Sequence, residues 1–251
     1  IKPVQAPKRI AVVGAGPAGL SFAITAAQRG HAVTLFDAAT EIGGQLNIAK
    51  KVPGKEEFHE MLRYFRRQID LQNVAVKLNT RVSADQLAAA GFDEIILATG
   101  IQPRVPAIDG VGHPKVLNYL DVLRDEKPVG QRVAVIGAGG IGFDVSEYLA
   151  HTGESGALAP QKFYEEWGID TTYAQPGGLR RPQAEPPARR VHLLQRKSTK
   201  VGDQLGKTTG WIHRTSLKAR RVAMHSSVNY ERIDDAGLHV TVDGHPQVLE
   251  V

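Results

Sequence analysis

The sequence contains one strand–turn–helix pattern twice, and this repeat limits what the chain can fold into. The first copy, RIAVVGAGPAGL, begins at Arg9, and the second, RVAVIGAGGIGF, begins 123 residues later at Arg132. Each copy has an apolar run without polar alternation, as in a buried parallel strand, followed by a G-x-G-x-x-G turn. The offset is too long for the period of a solenoid repeat. The pattern therefore predicts two related nucleotide-binding domains in tandem.

The strands and helices expected around these turns predict an α/β fold of two Rossmann-like domains. In the first domain we expect strands at residues 9–13, 31–37, 74–82 and 92–98 (the last one buried) and helices at 17–29, 55–70 and 84–90. A short helix is expected at 116–124, before the second repeat unit opens at Gln131. In that unit we expect a helix at 141–152, capped by Gly153, and strands at 191–195, 221–225 and 237–242. A connection rich in proline and glycine (101–114) predicts a division into domains 1–112 and 113–251. A 37-residue insertion, 154–190, is expected to contain a helical turn at 163–167.

The first turn has the features of a dinucleotide-binding site. Gly14 allows the tight turn, Gly16 lets a pyrophosphate approach the backbone, and Gly19 lets helix and strand pack closely. The helix that begins at Pro17 directs free N–H groups and a positive dipole end toward the phosphates. Asp37 closes the second strand, where a carboxylate accepts hydrogen bonds from ribose hydroxyls and repels a 2′-phosphate. The first site is therefore predicted to prefer FAD or NAD over NADP.

Two further segments select FAD as the ligand of the first site. Gly43 and Gly44 let the backbone run beside a long dinucleotide, and Gln45 can reach its ribityl or phosphate region. The last strand of the domain ends with Ala98, Thr99 and Gly100. A glycine at that point permits close passage of the chain by the cofactor.

The second turn predicts a site for NADPH. Gly137, Gly139 and Gly142 repeat the glycine spacing, and the predicted helix start adds Gly140 and Ile141 to the site. At the end of the second strand, the position of the ribose-binding carboxylate holds Gln195, followed by Arg196 and Lys197. Replacing the acid by two cations suits the 2′-phosphate of NADPH, which Arg can bind bidentately.

The composition excludes several other functions. The chain has no cysteine, so thiolate metal sites and redox-active CxxC pairs within it are impossible, and its nine histidines lack metal-ligand spacing. We predict no metal site and no catalytic side chain, and we interpret His213 and His225 as structural or surface residues and Trp167 and Trp211 as packing residues. The net charge is +5, but the sequence has no basic stripe interleaved with aromatic residues, so nucleic acid is not an expected partner. No apolar run approaches the roughly 18 residues of a membrane span, so a membrane is not an expected partner either.

The motifs resemble the flavin disulfide reductase superfamily in fold and, more narrowly, the bacterial NADPH-dependent 2,4-dienoyl-CoA reductases. The segments that carry the narrower resemblance are 7–20, 41–47, 55–58, 98–100, 163–170 and 194–197. The resemblance implies FAD contacts at Ala18, Asp37, Gln45, Lys55 and Val82, whose backbone would meet the adenine.

The resemblance also implies parts that this sequence does not contain. In that family an N-terminal (β/α)8 barrel holds FMN, the dienoyl-CoA site and the catalytic acid, and a cysteine cluster holds a 4Fe-4S centre. NADPH reduces FAD, and electrons pass through the cluster to FMN, in the β-oxidation of unsaturated fatty acids. Because the chain starts at Ile1 without Met and stops at Val251 in an expected strand, we interpret it as truncated at both ends. We expect the enzyme to be cytoplasmic.

Two other readings stay open from the sequence. One is a related barrel-plus-reductase enzyme, either an enoate reductase or an amine dehydrogenase of the trimethylamine type, in which the second nucleotide site need not pass hydride. Arg196 and Lys197 favour NADPH use over the amine dehydrogenase. The other is a non-catalytic nucleotide-binding module, against which the segments around Gly44 and Thr99 argue, because they serve a flavin.

Overall fold

The structure, a computed structural model, describes residues 1–251 as two compact units. The first unit comprises Ile1–Lys50 and Glu57–Gln102, and the second unit comprises Lys51–Glu56 and Pro103–Val251. The boundary therefore falls after Gln102 rather than at residue 112, and the short segment 51–56 belongs with the second unit.

The first unit is a parallel sheet with helices on both faces. Its strands are β1 (Arg9–Val13), β2 (Ala32–Phe36), β3 (Ala75–Lys77) and β4 (Glu94–Leu97), in the order β3-β2-β1-β4. Its helices are α1 (Pro17–Gln28), α2 (Leu46–Ala49), α3 (Phe58–Leu71) and α4 (Ala84–Ala89). Ile10 and Val12 of β1 pack with the buried residues of α1 and α3, whereas Ala11 packs with Leu87 of α4. This alternation across one strand explains why its sequence is apolar throughout.

Two strands of the first unit differ from the sequence prediction. Strand β3 is shorter than 74–82, because Asn79 adopts a left-handed φ of 51° and Thr80 N–H donates to the carbonyl of Asp37, which turns the chain away. Strand β4 is not buried, and Leu97 is 73% exposed. Because β4 lies at the edge of the sheet, it pairs only with β1. The short helix α2 was not expected, whereas α4 forms as predicted, with a capping box between Ser83 and Gln86.

The second unit contains a parallel sheet and an antiparallel sheet. Its helices are α5 (Tyr119–Leu123), α6 (Gly140–Ala150), α7 (Pro160–Trp167) and α8 (Gly210–Ala219). The parallel sheet, in the order β5-β6-β7, consists of β5 (Arg132–Ile136), β6 (Arg190–Leu194) and β7 (Ala223–His225). The antiparallel sheet consists of β8 (Val228–Asp234), β9 (Gly237–Val242) and β10 (His245–Leu249). Leu194 of β6 is fully buried and packs in one core with Val228 and Val240 of the antiparallel sheet.

Several features of the second unit were not predicted. Helix α6 ends at Ala150, and its C-cap is the extended residue His151 rather than Gly153. Helix α8 and strand β8 had no counterpart in the sequence prediction. Trp211 at the start of α8 is 55% exposed and is not a core residue; its indole N–H donates to the carbonyl of Thr208 at 3.0 Å.

The insertion 154–190 contains the predicted helical segment, α7, and polar contacts hold it to the rest of the second unit. Arg220 of α8, only 6% exposed, donates to Glu147 of α6 at 2.9 Å and to Glu166 of α7 at 3.4 Å. Lys162 of α7 donates to the carbonyl of Thr152 at 3.3 Å, and the Thr152 hydroxyl donates to Glu185 at 2.7 Å. None of the core side chains is contributed by the insertion. The insertion is therefore attached mainly through charges and hydrogen bonds.

Candidate nucleotide-binding sites

In the first turn, the structure gives each of the three glycines a different role. Gly14 has a φ of +110°, and a Cβ there would lie 2.2 Å from the carbonyl oxygen of Ala98. A Cβ on Gly19 would lie 1.8 Å from the carbonyl oxygen of Gly14. A Cβ on Gly16 would meet nothing within 4 Å. Gly14 and Gly19 are thus required by the packing of the turn, whereas Gly16 faces open space that a ligand could occupy.

Asp37 lies directly against this turn. Its Oδ2 accepts a hydrogen bond from the Ala15 N–H at 2.6 Å, and its Oδ1 accepts one from the Ala39 N–H at 2.8 Å. Since each carboxylate oxygen has two lone pairs, both retain capacity for a ribose hydroxyl. The backbone contacts fix the carboxylate at the end of β2, as the sequence pattern predicts.

The segment around Gly44 approaches the same turn. The Gly43 N–H donates to the carbonyl of Ala15 at 2.8 Å, and a Cβ on Gly44 would lie 3.0 Å from the Cα of Gly16. Gly43 and Gly44 have φ values of +121° and +50°, and Gln45 follows as the exposed N-cap of α2. The structure therefore brings this segment close to the backbone of Gly16.

The other residues predicted for FAD fall into two groups. Pro17 and Ala18 are exposed in the first turn of α1, and Thr99 and Gly100 are exposed just beyond β4. The side chain of Val82 is partly buried against the cluster of Ala11, Phe36 and Leu87.

Lys55 belongs to the second unit, where it forms an ion pair with a residue that the sequence reasoning missed. Its Nζ lies 2.6 and 2.7 Å from the two carboxylate oxygens of Asp144 in α6. Both side chains are about a quarter to a third exposed. The only sequence signal for Asp144 was its place seven residues after Gly137.

The second turn repeats the geometry of the first. Gly137 has a φ of +103°, and its N–H donates to the carbonyl of Leu194 at 3.0 Å. A Cβ on Gly142 would lie 1.8 Å from the carbonyl oxygen of Gly137, whereas Gly139 and Gly140 face open space. Ile141 is 44% exposed in the first turn of α6. The exposed N-terminus of α6 can therefore receive an anionic group.

The residues that follow β6 carry free positive charge. Arg196 and Lys197 are exposed, and the side chain of neither residue forms a salt bridge or a hydrogen bond in the structure. Burial raises the pKa of Tyr230 on β8 to about 12, and the nearby charge of Arg196 acts in the opposite direction. The two cations are thus held at the end of β6 without an acidic partner.

The structure shows no group of three or more His, Asp or Glu side chains placed to hold a metal ion. None of its helices has the length and apolar character needed to cross a membrane. His192 and His225 lie side by side on β6 and β7, with Nδ1 of His192 3.1 Å from Nε2 of His225. Burial lowers the pKa of both imidazoles, and each lies beside the other rather than beside a nucleophile.

A family model for pyridine nucleotide-disulphide oxidoreductases matches residues 8–251. The chain belongs to this family. Membership confirms the predicted α/β fold of the flavin disulfide reductase type and implies binding of FAD and a pyridine nucleotide. The open space at Gly16, the fixed carboxylate of Asp37 and the second glycine turn fit these two ligands.

Several individual proteins are similar to the chain over part or all of its length. A bilirubin reductase of Mediterraneibacter gnavus is 37% identical over 153 residues, which is 61% of this chain and 24% of that protein. An NADH oxidase of Thermoanaerobacter brockii is 37% identical over 157 residues, again 61% of this chain and 24% of that protein. The structure of a 2-naphthoyl-CoA reductase superposes with a TM-score of 0.80 at 26% identity, covering 100% of this chain and 33% of that one. The aligned regions span about a quarter of these curated relatives, and the chain is similar to flavin-dependent reductases.

Proposed function

We propose that the chain is the NADPH-to-FAD electron-input module of a reductase of the 2,4-dienoyl-CoA reductase kind, acting on CH–CH bonds. The observation that carries this proposal is the difference between the two strand ends. Asp37 stands at the end of β2, whereas Gln195, Arg196 and Lys197 follow β6. When bound, the nicotinamide supplies a hydride and the flavin accepts it. The protein residues bind and orient the two dinucleotides.

The first unit is suited to a dinucleotide without a 2′-phosphate. The carboxylate of Asp37 would repel a phosphate group at the ribose and accept hydrogen bonds from hydroxyls. The backbone at Gly16 leaves room for a pyrophosphate beside the N-terminus of α1. We therefore assign FAD to the first unit, with Pro17, Ala18, Gly44, Gln45, Thr99 and Gly100 as further contacts.

The second unit is suited to NADPH. Gly139 and Gly140 leave the N-terminus of α6 open to the pyrophosphate, and Arg196 and Lys197 have no other partner for their charges. A hydrogen bond to a charged group contributes about 1.5–3 kcal/mol. Because each 1.4 kcal/mol changes an affinity about tenfold, two such contacts to the 2′-phosphate would favour NADPH over NADH by at least roughly a hundredfold.

The substrate class is a proposal supported by the chain's relatives. A cinnamate reductase of Clostridium sporogenes is 34% identical over 155 residues, and a 2-naphthoyl-CoA reductase shares the fold of the whole chain. Both names denote substrates with unsaturation conjugated to a carbonyl group, as in a 2,4-dienoyl-CoA. We propose that FMN, a 4Fe-4S centre and the acceptor site lie in another part of the same polypeptide.

An amine dehydrogenase is the second candidate. An N,N-dimethylglycine/sarcosine dehydrogenase of Chromohalobacter salexigens is 33% identical over 162 residues. In such an enzyme electrons come from the amine, and the second turn need not receive a hydride donor. The unpaired charges of Arg196 and Lys197 argue for the reductase.

The test is anaerobic reduction of protein-bound FAD by NADPH and by NADH, followed at the flavin absorbance band. We expect fast bleaching with NADPH and slow bleaching with NADH. In the double variant Arg196→Ala/Lys197→Ala, the KM for NADPH should rise far more than the KM for NADH. The double variant Arg180→Ala/Arg181→Ala removes the same charge from exposed positions in the insertion and should change neither. Absence of bleaching with either nucleotide would favour the amine dehydrogenase.

A further inference from the structure

The loop after β6 that carries Arg196 and Lys197 is tied together by the side chain of Gln195. The amide nitrogen Nε2 of Gln195 lies 3.1 Å from the carbonyl oxygen of Lys197. It also lies 2.9 Å from the carbonyl oxygen of Thr199 and 3.3 Å from the hydroxyl of Thr199. All three partners can accept a hydrogen bond and two of them cannot donate, so the nitrogen end of the amide must face the loop.

The Gln195 amide is the main contact that holds the part of the loop beyond Lys197. Backbone hydrogen bonds hold the part of the loop up to Lys197. Val228 N–H at the start of β8 donates to the carbonyl of Gln195, and Ser227 N–H donates to the carbonyl of Lys197, both at 3.0 Å. The carbonyl of Thr199 receives its hydrogen bond from Gln195 alone. Residues 196–200 are exposed and lie outside any helix or strand. Without the amide, the short stretch 198–199 between the bond at Lys197 and the bond at the Lys200 carbonyl would lose its hydrogen bonds to the protein and its fixed conformation.

We infer that Gln195 is a positioning residue that sets NADPH specificity by holding the loop of Arg196 and Lys197 in a conformation in which both cations meet a 2′-phosphate. The inference rests on the proposed function. Gln195 occupies the position where an NAD-binding site has a carboxylate. It does not repel the 2′-phosphate as that carboxylate would, and in addition its amide holds the loop. A carboxylate would have no N–H to donate to Lys197 and Thr199, so it would both repel the phosphate and release the loop.

The inference is tested with Gln195→Met, which keeps the length of the side chain and removes its donors. Binding of NADP⁺ and NAD⁺, which differ only in the 2′-phosphate, is measured by calorimetry on the FAD-loaded protein. We expect the Kd of NADP⁺ to rise about tenfold and the Kd of NAD⁺ to change less than about twofold, as for the loss of one or two hydrogen bonds that order a charged contact. Gln204→Met, an exposed amide nearby with no hydrogen bond in the structure, is the matched control and should change neither.

A second measurement separates positioning from general damage. In Gln195→Met, the amide of Ser227, which donates to the carbonyl of Lys197 in the loop, should exchange with deuterium faster, while those of β5 and β6 keep their protection. If Gln195→Met does not fold, Gln195→Asn, whose amide is one methylene shorter and cannot span the loop, should show the same selective loss of NADP⁺ binding.

The outcomes distinguish this inference from the proposed function. If the unmodified protein prefers NADP⁺ and Gln195→Met leaves that preference unchanged, or weakens both nucleotides equally, the role of Gln195 is wrong and the function stands. If the unmodified protein itself does not prefer NADP⁺, the proposed NADPH site is wrong and the inference is refuted with it.

Discussion

Substitutions of Gly16 and Gly19 in the first turn should separate an effect on FAD binding from an effect on protein stability. Gly16 has an extended backbone, with φ of −75°, that any residue can adopt, and its missing Cβ faces empty space. Gly16→Ala should therefore fold with a free energy of unfolding within about 1 kcal/mol of the unmodified protein. In the complex, the added methyl group would occupy the space of the pyrophosphate. Losing one or two charge-assisted backbone hydrogen bonds of about 1.5–3 kcal/mol each would weaken FAD binding by at least about tenfold.

Gly19→Ala should have the opposite effect. Its Cβ would lie 1.8 Å from the Gly14 carbonyl oxygen, whereas non-bonded heavy atoms prefer separations of about 3.5 Å. Helix α1 would have to move from β1 by more than about 1 Å, and overpacking of this kind costs about 1–3 kcal/mol or more.

The two variants are compared by urea unfolding of the FAD-free protein and by titration with FAD, followed through quenching of flavin fluorescence. We expect a normal urea midpoint with weak FAD binding for Gly16→Ala, and a lowered urea midpoint for Gly19→Ala. Normal FAD affinity in Gly16→Ala would show that the cofactor phosphates do not lie at this turn. Normal stability in Gly19→Ala would refute the argument that the helix–strand contact requires a glycine.

Three further predictions concern the second unit. Gly139→Ala should weaken NADPH binding by at least about tenfold in calorimetry and leave the FAD content unchanged, because a Cβ there also faces open space beside the turn; an unchanged NADPH affinity would contradict this. Arg220→Met should lower the free energy of unfolding by about 3 kcal/mol in urea titrations, because it leaves Glu147 and Glu166 without their buried partner. The control Arg63→Met, at an exposed position, should change the free energy of unfolding by less than about 0.5 kcal/mol. Burial lowers the pKa of His192 and His225 from the usual value of 6.5, so the unfolded chain binds more protons, and stability that is complete above about pH 6.5 should decrease as the pH falls below it. His225→Gln should reduce the slope of the unfolding free energy between pH 6.5 and 5, and an unchanged slope would show that the pair does not contribute.

The sequence was sufficient for the turns, because their requirements are local. Gly14 needs a φ of +110°, and a Cβ on Gly19 would lie 1.8 Å from the carbonyl oxygen of Gly14 five residues earlier, so nearby residues of the chain dictate both glycines. Asp37 accepts one hydrogen bond from the Ala39 N–H two residues later, whereas its bond from the Ala15 N–H spans 22 residues and follows from the spacing of the motif. Spacing along the chain is enough to predict such features.

Other features depend on contacts that the sequence order does not encode. An apolar run predicts a strand, but only the strand order shows that β4 lies at an edge and exposes Leu97. The ion pair of Lys55 with Asp144 joins residues 89 positions apart. The hydrogen bonds of Gln195 span only four residues, but they depend on the side-chain direction, which a substitution pattern does not give.

The polar attachment of the insertion determines how this segment detaches from the second unit. A segment held by ion pairs gives up little apolar surface when it detaches, so its release should depend weakly on urea. In Arg220→Met, which removes the partner of Glu166, α7 and its flanking loops should become accessible to proteases while the glycine turns remain folded. Because the core gains nothing from these residues, a lineage could lengthen, replace or delete them without rebuilding the sheet beneath.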